Sequence, residues 1–236
     1  MNDYWKTIPG YFFQWSEVGI THIIPKLPSS GTILELGSAY GRSTCYWAEQ
    51  LIKHSKNYDI VTIDDWSLIT ERIHPVFENL KEGNRIGKDW GGNISKIILK
   101  DSSCGSKENL IKLQNCYLYN SPTMAELFAD YTEPYKNMIT ILDIDLFNQA
   151  HMAPENVQCV FDAIGSKYEK WFNIIYDKLE VGGYYIFDKQ AIYKDKKIMG
   201  YLDQFLANKG TKIQDLQLKN IQMNVSEIKY FIKTTK

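Results

Sequence analysis

Short, apolar, β-branched runs that end on acids recur along the chain, and this recurrence constrains its fold more than any other feature. Residues 32–36 contain Glu35 and stop at Gly37, 59–63 lead into Asp64, 138–142 into Asp143, and 184–187 into Asp188. Runs of this length, bounded by turn residues, read as buried strands. Between the first two, residues 43–54 place Trp47, Leu51 and Ile52 near helical spacing. Strand, glycine turn, helix, strand is the repeating unit of a parallel sheet. In open α/β sheets ligands bind outside the carboxyl ends of the strands, so Glu35, Asp64, Asp143 and Asp188 are expected to converge on one crevice.

The rest of the chain fits that scheme with two interruptions. Residues 168–179 read as a helix with Trp171, Phe172, Ile175 and Leu179 on one face, and Gly182-Gly183 as the turn into the strand at 184–187. Residues 194–207 read as a helix, with 213–218 and 228–232 as a closing antiparallel pair. Two stretches compete for the third core strand, 94–99 and 116–119. The second is preferred because Asn120-Ser121-Pro122 and a helix at 124–131 carry it directly into the strand at 138–142. Residues 84–114 and 146–160 are then insertions. The expectation is one domain over 1–236, an α/β fold with a doubly wound, mainly parallel sheet and a C-terminal antiparallel strand pair.

The turn Glu35-Leu-Gly37-Ser38-Ala-Tyr-Gly41-Arg-Ser43 spaces its glycines G-x-x-x-G, whereas a dinucleotide-binding turn needs G-x-G-x-x-G. Ala39 takes the place of the glycine that lets backbone approach a pyrophosphate, which counts against a nicotinamide-dependent oxidoreductase. Strand, E-x-G-x-x-x-G-x-S, helix, and a second strand ending in Asp64-Asp-Trp66 together resemble the S-adenosylmethionine site of class I methyltransferases, a Rossmann-like family. The likeness extends to Ile8-Pro-Gly-Tyr11, to Asn120-Ser121, and to Lys178-Leu-Glu-Val-Gly-Gly-Tyr-Tyr-Ile-Phe-Asp188. It is nearest to the branch containing small-molecule and sugar O-methyltransferases. The resemblance implies that Glu35 and the backbone around Gly37 meet the methionine part of S-adenosylmethionine, that Asp64 bonds the ribose hydroxyls, and that Ser121 with Asn120 faces the adenine. Ser38, Gly41, Ser43 and Asp143 complete the implied cofactor site, Ser43 being also a natural helix cap, and Trp66 suits either a stack on adenine or the core.

Methyl transfer from a sulfonium depends mostly on holding acceptor and methyl group in line, and a hydroxyl acceptor also needs its proton removed. In the family branch the fourth strand ends in an Asp-x-Asp-His type segment and the fifth in a pair of acids. Asp143-Ile-Asp145 keeps two acids but continues as Leu146-Phe147, and Asp188 is followed by Lys189-Gln190. The resemblance therefore implies Asp143 and His151 as catalytic candidates. Asp143, Asp145 and Asp188 would be oxygen ligands suited to Mg²⁺ or Mn²⁺. His22, His54 and His74 show no ligand spacing.

Charge and composition narrow the partners. With 27 Lys plus Arg against 28 Asp plus Glu, the formal charge of −1 offers no global attraction to nucleic acid or to an anionic membrane. No run of about 18 apolar residues is present to span a bilayer. Residues 1–10 do not read as an export signal. Cys45, Cys104, Cys116 and Cys159 lack C-x-x-C spacing and suit a reduced, cytoplasmic protein. The expected substrate is a small polar molecule, methylated on a hydroxyl. Aromatic residues near the amino terminus, such as Tyr4 and Trp5, suit either a core or a homodimer contact. The competing class is a non-catalytic nucleoside-binding module that keeps the pocket but has lost the chemistry.

Overall fold

The computed structural model describes residues 3–9, 14–66, 106, 108–109, 112–113, 116, 122–187, 195–216 and 228–235. The chain forms two compact units, one of residues 1–12, 39–49 and 65–137, the other of 13–38, 50–64 and 138–236. All seven strands lie in the second, the sheet unit: β1 (Ser30–Leu36), β2 (Asn57–Asp64), β3 (Ile139–Asp143), β4 (Val157–Asp162), β5 (Leu179–Phe187), β6 (Gln214–Leu216) and β7 (Ile228–Ile232). The described helices are α1 (Gln14–Ile23), α2 (Arg42–Lys53), α3 (Met124–Thr132), α4 (Leu146–Gln149), α5 (Tyr168–Lys178) and α6 (Lys196–Asn208).

The strand order is β3-β2-β1-β4-β5-β7-β6. β1 to β5 pair in parallel, and β7 runs antiparallel between β5 and β6. Central strands are covered on both faces, which is why Ile33 to Leu36 and Ile60 to Ile63 are buried at every position, Glu35 and Thr62 included. The sheet unit has an aromatic core in which Tyr168, Trp171, Phe172, Tyr176, Tyr185 and Phe231 are all 0% exposed. Tyr185 of β5 stacks on Phe231 of β7, with ring centroids 5.0 Å apart and planes 12° from parallel. This contact joins the antiparallel pair to the parallel part of the sheet.

Buried Lys233 finishes the same core. Its Nζ donates to the carbonyls of Tyr176 (2.9 Å), Asp177 (3.2 Å) and Leu179 (2.7 Å), where α5 ends and β5 begins. Burial pulls its ammonium below the ordinary lysine range.

Three sequence expectations need correction. β2 has β3 as its outer neighbour, so the strand leading into Asp143 is the third core strand. Of the preferred stretch 116–119, Cys116 is helical and buried, and 117–119 and the rival 94–99 lie outside the described residues. Residues 146–160, expected as an insertion, include α4 and most of β4, the strand that pairs with β1. Gly182-Gly183 lies inside β5, which starts directly at the end of α5. The helices expected at 43–54, 168–179 and 194–207 and the closing antiparallel pair are present with ends shifted by a few residues.

Candidate functional site

The chain builds outward through β1, β2 and β3, then returns past β1 to form β4 on its other side. The sheet order therefore reverses between β1 and β4, where an open α/β sheet leaves a crevice at its carboxyl edge. Backbone bonds tie the strand ends together there: Gly37 N–H donates to Ile63 O (2.8 Å), Ala163 N–H to Leu36 O (2.8 Å), and Ile144 N–H to Asp64 O (3.1 Å).

Gly37 turns the chain out of β1 with φ +83°. A Cβ at this position would meet Ile164 Cγ1 at 3.0 Å and the backbone of Ala163 and Ile164 at 3.3 Å, so glycine is needed both for its dihedral and for the close approach of the turn after β4. Ser38 follows, 3% exposed, and its Oγ is buried with no hydrogen-bond partner among the described residues. A buried hydroxyl without a partner costs free energy that a polar ligand can recover.

The acids differ in exposure across this edge. Asp143 is exposed, Asp64 is half-buried, and Glu35 is fully buried. Asp64 and Asp143 are register partners at the ends of β2 and β3, so they stand side by side. Glu35 on β1 is flanked by Thr62 of β2 and Phe161 of β4.

The sequence reading passed over a further acid, Asp162, which ends β4. It is fully buried and accepts four hydrogen bonds, from Ile164 N–H (2.9 Å), Gly165 N–H (3.3 Å), Tyr185 Oη (3.0 Å) and Tyr168 Oη. Burial pushes this carboxyl above the ordinary carboxylate range while the four donors pull it back. The signal was in the sequence: Val157-Gln-Cys-Val-Phe-Asp162 is another apolar run closing on an acid.

In the other unit, Gly41 also has a positive φ of +83°, and its missing Cβ would meet Thr132 Cγ2 at 2.8 Å and Phe128 Cε2 at 3.0 Å. Ser43 occupies the first turn of α2. Trp66 is 2% exposed, packs on Phe128 at 5.0 Å between centroids and donates its indole N–H to Ala39 O at 2.7 Å. This is the setting of a core residue. Asn120 and Ser121 lie outside the described residues.

The described catalytic and metal candidates lie in different local settings. His151 is in the 3₁₀ turn Ala150–Met152, and its carbonyl accepts from Lys178 Nζ at 3.2 Å. Lys178 ends α5 and abuts the start of β5, whereas Asp143 and Asp162 lie at strand ends, and α5 alone is 11 residues, roughly 16 Å, long. His151 thus sits toward the amino edge of the sheet, away from Asp143. Asp145 caps α4, accepting from Phe147 N–H (2.9 Å) and Asn148 Nδ2. Asp188 lies outside the described residues. Among the described residues no group of three His, Cys, Asp or Glu is placed to hold a metal.

No protein-family model matches the sequence, and no curated protein does. Solved structures match the fold. Precorrin-6y C5,15-methyltransferase from Geobacter metallireducens GS-15 aligns with TM-score 0.53 at 9% identity, covering 94% of this chain and 91% of its own. An rRNA methylase from Streptococcus thermophilus gives 0.50 at 10% identity, covering 94% and 95%. SAH-bound methyltransferase PaMTH1 from Podospora anserina gives 0.50 at 13% identity, covering 95% and 80%. At these identities the shared property is the Rossmann-like fold. No helix among the described residues is long and apolar enough to cross a membrane.

Proposed function

We propose that this protein is an S-adenosylmethionine-dependent methyltransferase acting on the hydroxyl of a small polar acceptor. The observation that carries the reading is the carboxyl edge at the β1–β4 reversal, where Gly37 opens the backbone and the Ser38 hydroxyl is buried without a partner. Methyltransferase structures, one of them SAH-bound, sharing this fold support it.

When bound, S-adenosylmethionine supplies a methyl group activated on a cationic sulfonium. In this reading Asp64 accepts hydrogen bonds from the two ribose hydroxyls, as a carboxylate with several lone-pair sites can. Asp143, its neighbour on β3, lies toward the base. Glu35, buried on β1, favours the positive charge of the amino-acid end, and the Ser38 Oγ gains the partner it lacks. These groups bind and orient, which for an in-line displacement is the larger share of the acceleration.

A second reading, a binding module without turnover, is favoured by one observation: His151, the histidine considered as base, is not at the carboxyl edge. The near-neutral charge supports a small acceptor over RNA. Calorimetric titration with SAH and with NAD⁺, followed by transfer of labelled methyl to a panel of hydroxylated small molecules and to rRNA, tests all of these. SAH binding with labelled small-molecule product is expected. NAD⁺ binding without SAH binding overturns the proposal, SAH binding without any product leaves the binding module, and labelled rRNA corrects the acceptor.

A further inference from the structure

We propose that Asp162, Tyr168 and Tyr185 form a buried positioning triad that fixes the turn after β4 against Gly37 and so sets the shape of the cofactor crevice without touching the cofactor. The inference rests on the methyltransferase reading and adds residues to it.

Three elements contribute. Asp162 is the last residue of β4, Tyr168 the first of α5, and Tyr185 sits on β5 in register with Val160. Both phenols donate to the same carboxylate oxygen, while the other oxygen accepts the Ile164 and Gly165 N–H groups. The carboxylate therefore joins two rigid elements to the backbone of the connecting turn. All three side chains are 0% exposed, so water competes with none of these bonds.

The turn held in this way is the one that meets the cofactor side of β1. Ala163 N–H extends the pairing to Leu36 O, and the next residue, Ile164, places its Cγ1 and backbone nitrogen against the space where Gly37 has no Cβ. A shift of Ile164 therefore alters the space directly beside Gly37. Ser38, whose hydroxyl is without a partner, is the next residue along. The path from Tyr185 to the Gly37 turn thus consists of one buried carboxylate, one backbone turn and one close approach.

The test uses Tyr168→Phe, Tyr185→Phe and the double variant, each removing only oxygen from a residue placed outside the ligand site. Amide hydrogen exchange at Ile164 and Gly165 reads the turn directly, and SAH titration reads the crevice. Each single variant is expected to speed exchange at these two amides and weaken SAH binding by about 2- to 10-fold, the scale of one lost hydrogen bond, with a larger effect in the double variant. Leu206→Val, in the same core on α6, serves as control for general loss of stability and is expected to leave both readings unchanged. Unaltered exchange or unaltered SAH affinity in the double variant, or equal weakening in the control, overturns the triad. Wild-type protein that fails to bind SAH at all overturns the methyltransferase reading and the triad's role in it, an outcome distinct from wild type and variants binding alike.

Discussion

Replacing Gly37 with alanine tests the geometry of the crevice, and Gly182→Ala provides an internal reference. The two glycines have nearly the same backbone, φ +83° and +86°. A left-handed conformation costs an L-residue about 1–2 kcal/mol, while alanine restricts the unfolded chain and returns about 0.4–1 kcal/mol. Gly182 has nothing within 4 Å of its missing Cβ, so its substitution is expected to cost about 1 kcal/mol or less. Gly37 adds contacts at 3.0 to 3.3 Å, two of them with backbone that cannot swing away. Overpacking of this kind costs about 1–3 kcal/mol more, so Gly37→Ala is expected to lose about 2–4 kcal/mol in all. For a chain of this size each kcal/mol moves Tm by about 2–4 °C. Scanning calorimetry is thus expected to show Gly37→Ala melting about 2–12 °C below Gly182→Ala. SAH titration is expected to show weakened binding in the first variant alone. Equal melting temperatures with unaltered SAH affinity would mean that the turn after β4 does not press on Gly37, and the crevice as described would be wrong.

Further outcomes follow from single residues. Asp64→Ala is expected to weaken SAH binding by about 1.5–3 kcal/mol, the worth of hydrogen bonds to a charged group; calorimetry showing wild-type affinity removes Asp64 from the site. Lys233→Met removes the ammonium that donates to the carbonyls of Tyr176, Asp177 and Leu179 and is expected to lower the urea midpoint by the equivalent of about 3 kcal/mol; an unchanged midpoint denies the clamp a role in stability. Tyr58 is buried with no hydrogen-bond partner for its hydroxyl among the described residues, and burial first, then Cys159 and Glu180, pushes its pKa up to about 12. The folded form thus keeps a proton that the unfolded chain releases near pH 10, so this tyrosine's contribution to stability is complete below that value and lost as pH rises toward 12. Tyr58→Phe is expected to be at least as stable as wild type at neutral pH and to lose less between pH 10 and 12; a steeper alkaline loss in the variant contradicts the assignment.

Physical context decides which parts of this architecture could be read in the sequence. β1, β2 and the end of β5 are buried on both faces, so their composition alone marks them, and amphipathic α2, α5 and α6 stand out by period. β4 was missed because the usual rhythm of strand, long helix, strand fails before it. The crossover from β3 consists of the four-residue α4 and a 3₁₀ turn, with Asn156 at φ +58° just before the strand. Without a helix of normal length the whole stretch looked like an insertion. That single omission moved Asp143 from the third strand to the fourth. Local propensity can mark a strand, but neighbours in a sheet are fixed by long-range pairing, which no short window contains.

The shared motif of a strand closing on an acid resolves into three physical outcomes, and the fold decides which acid takes which. Asp145, two residues past β3, spends its oxygens on the amino end of α4. Asp162, on a strand covered from both sides, lies among phenols and backbone donors and acts as a pin for the turn beside it. Asp64 and Asp143, on β2 and on β3, the outermost described strand at that side, are half-buried and exposed respectively at the carboxyl edge. Distance from the centre of the sheet thus orders these acids: the nearer an acid lies to the reversal between β1 and β4, the more completely the protein's own groups enclose it. A ligand with hydroxyls to donate would be met from the β2–β3 side, while the β1–β4 side supplies a rigid floor.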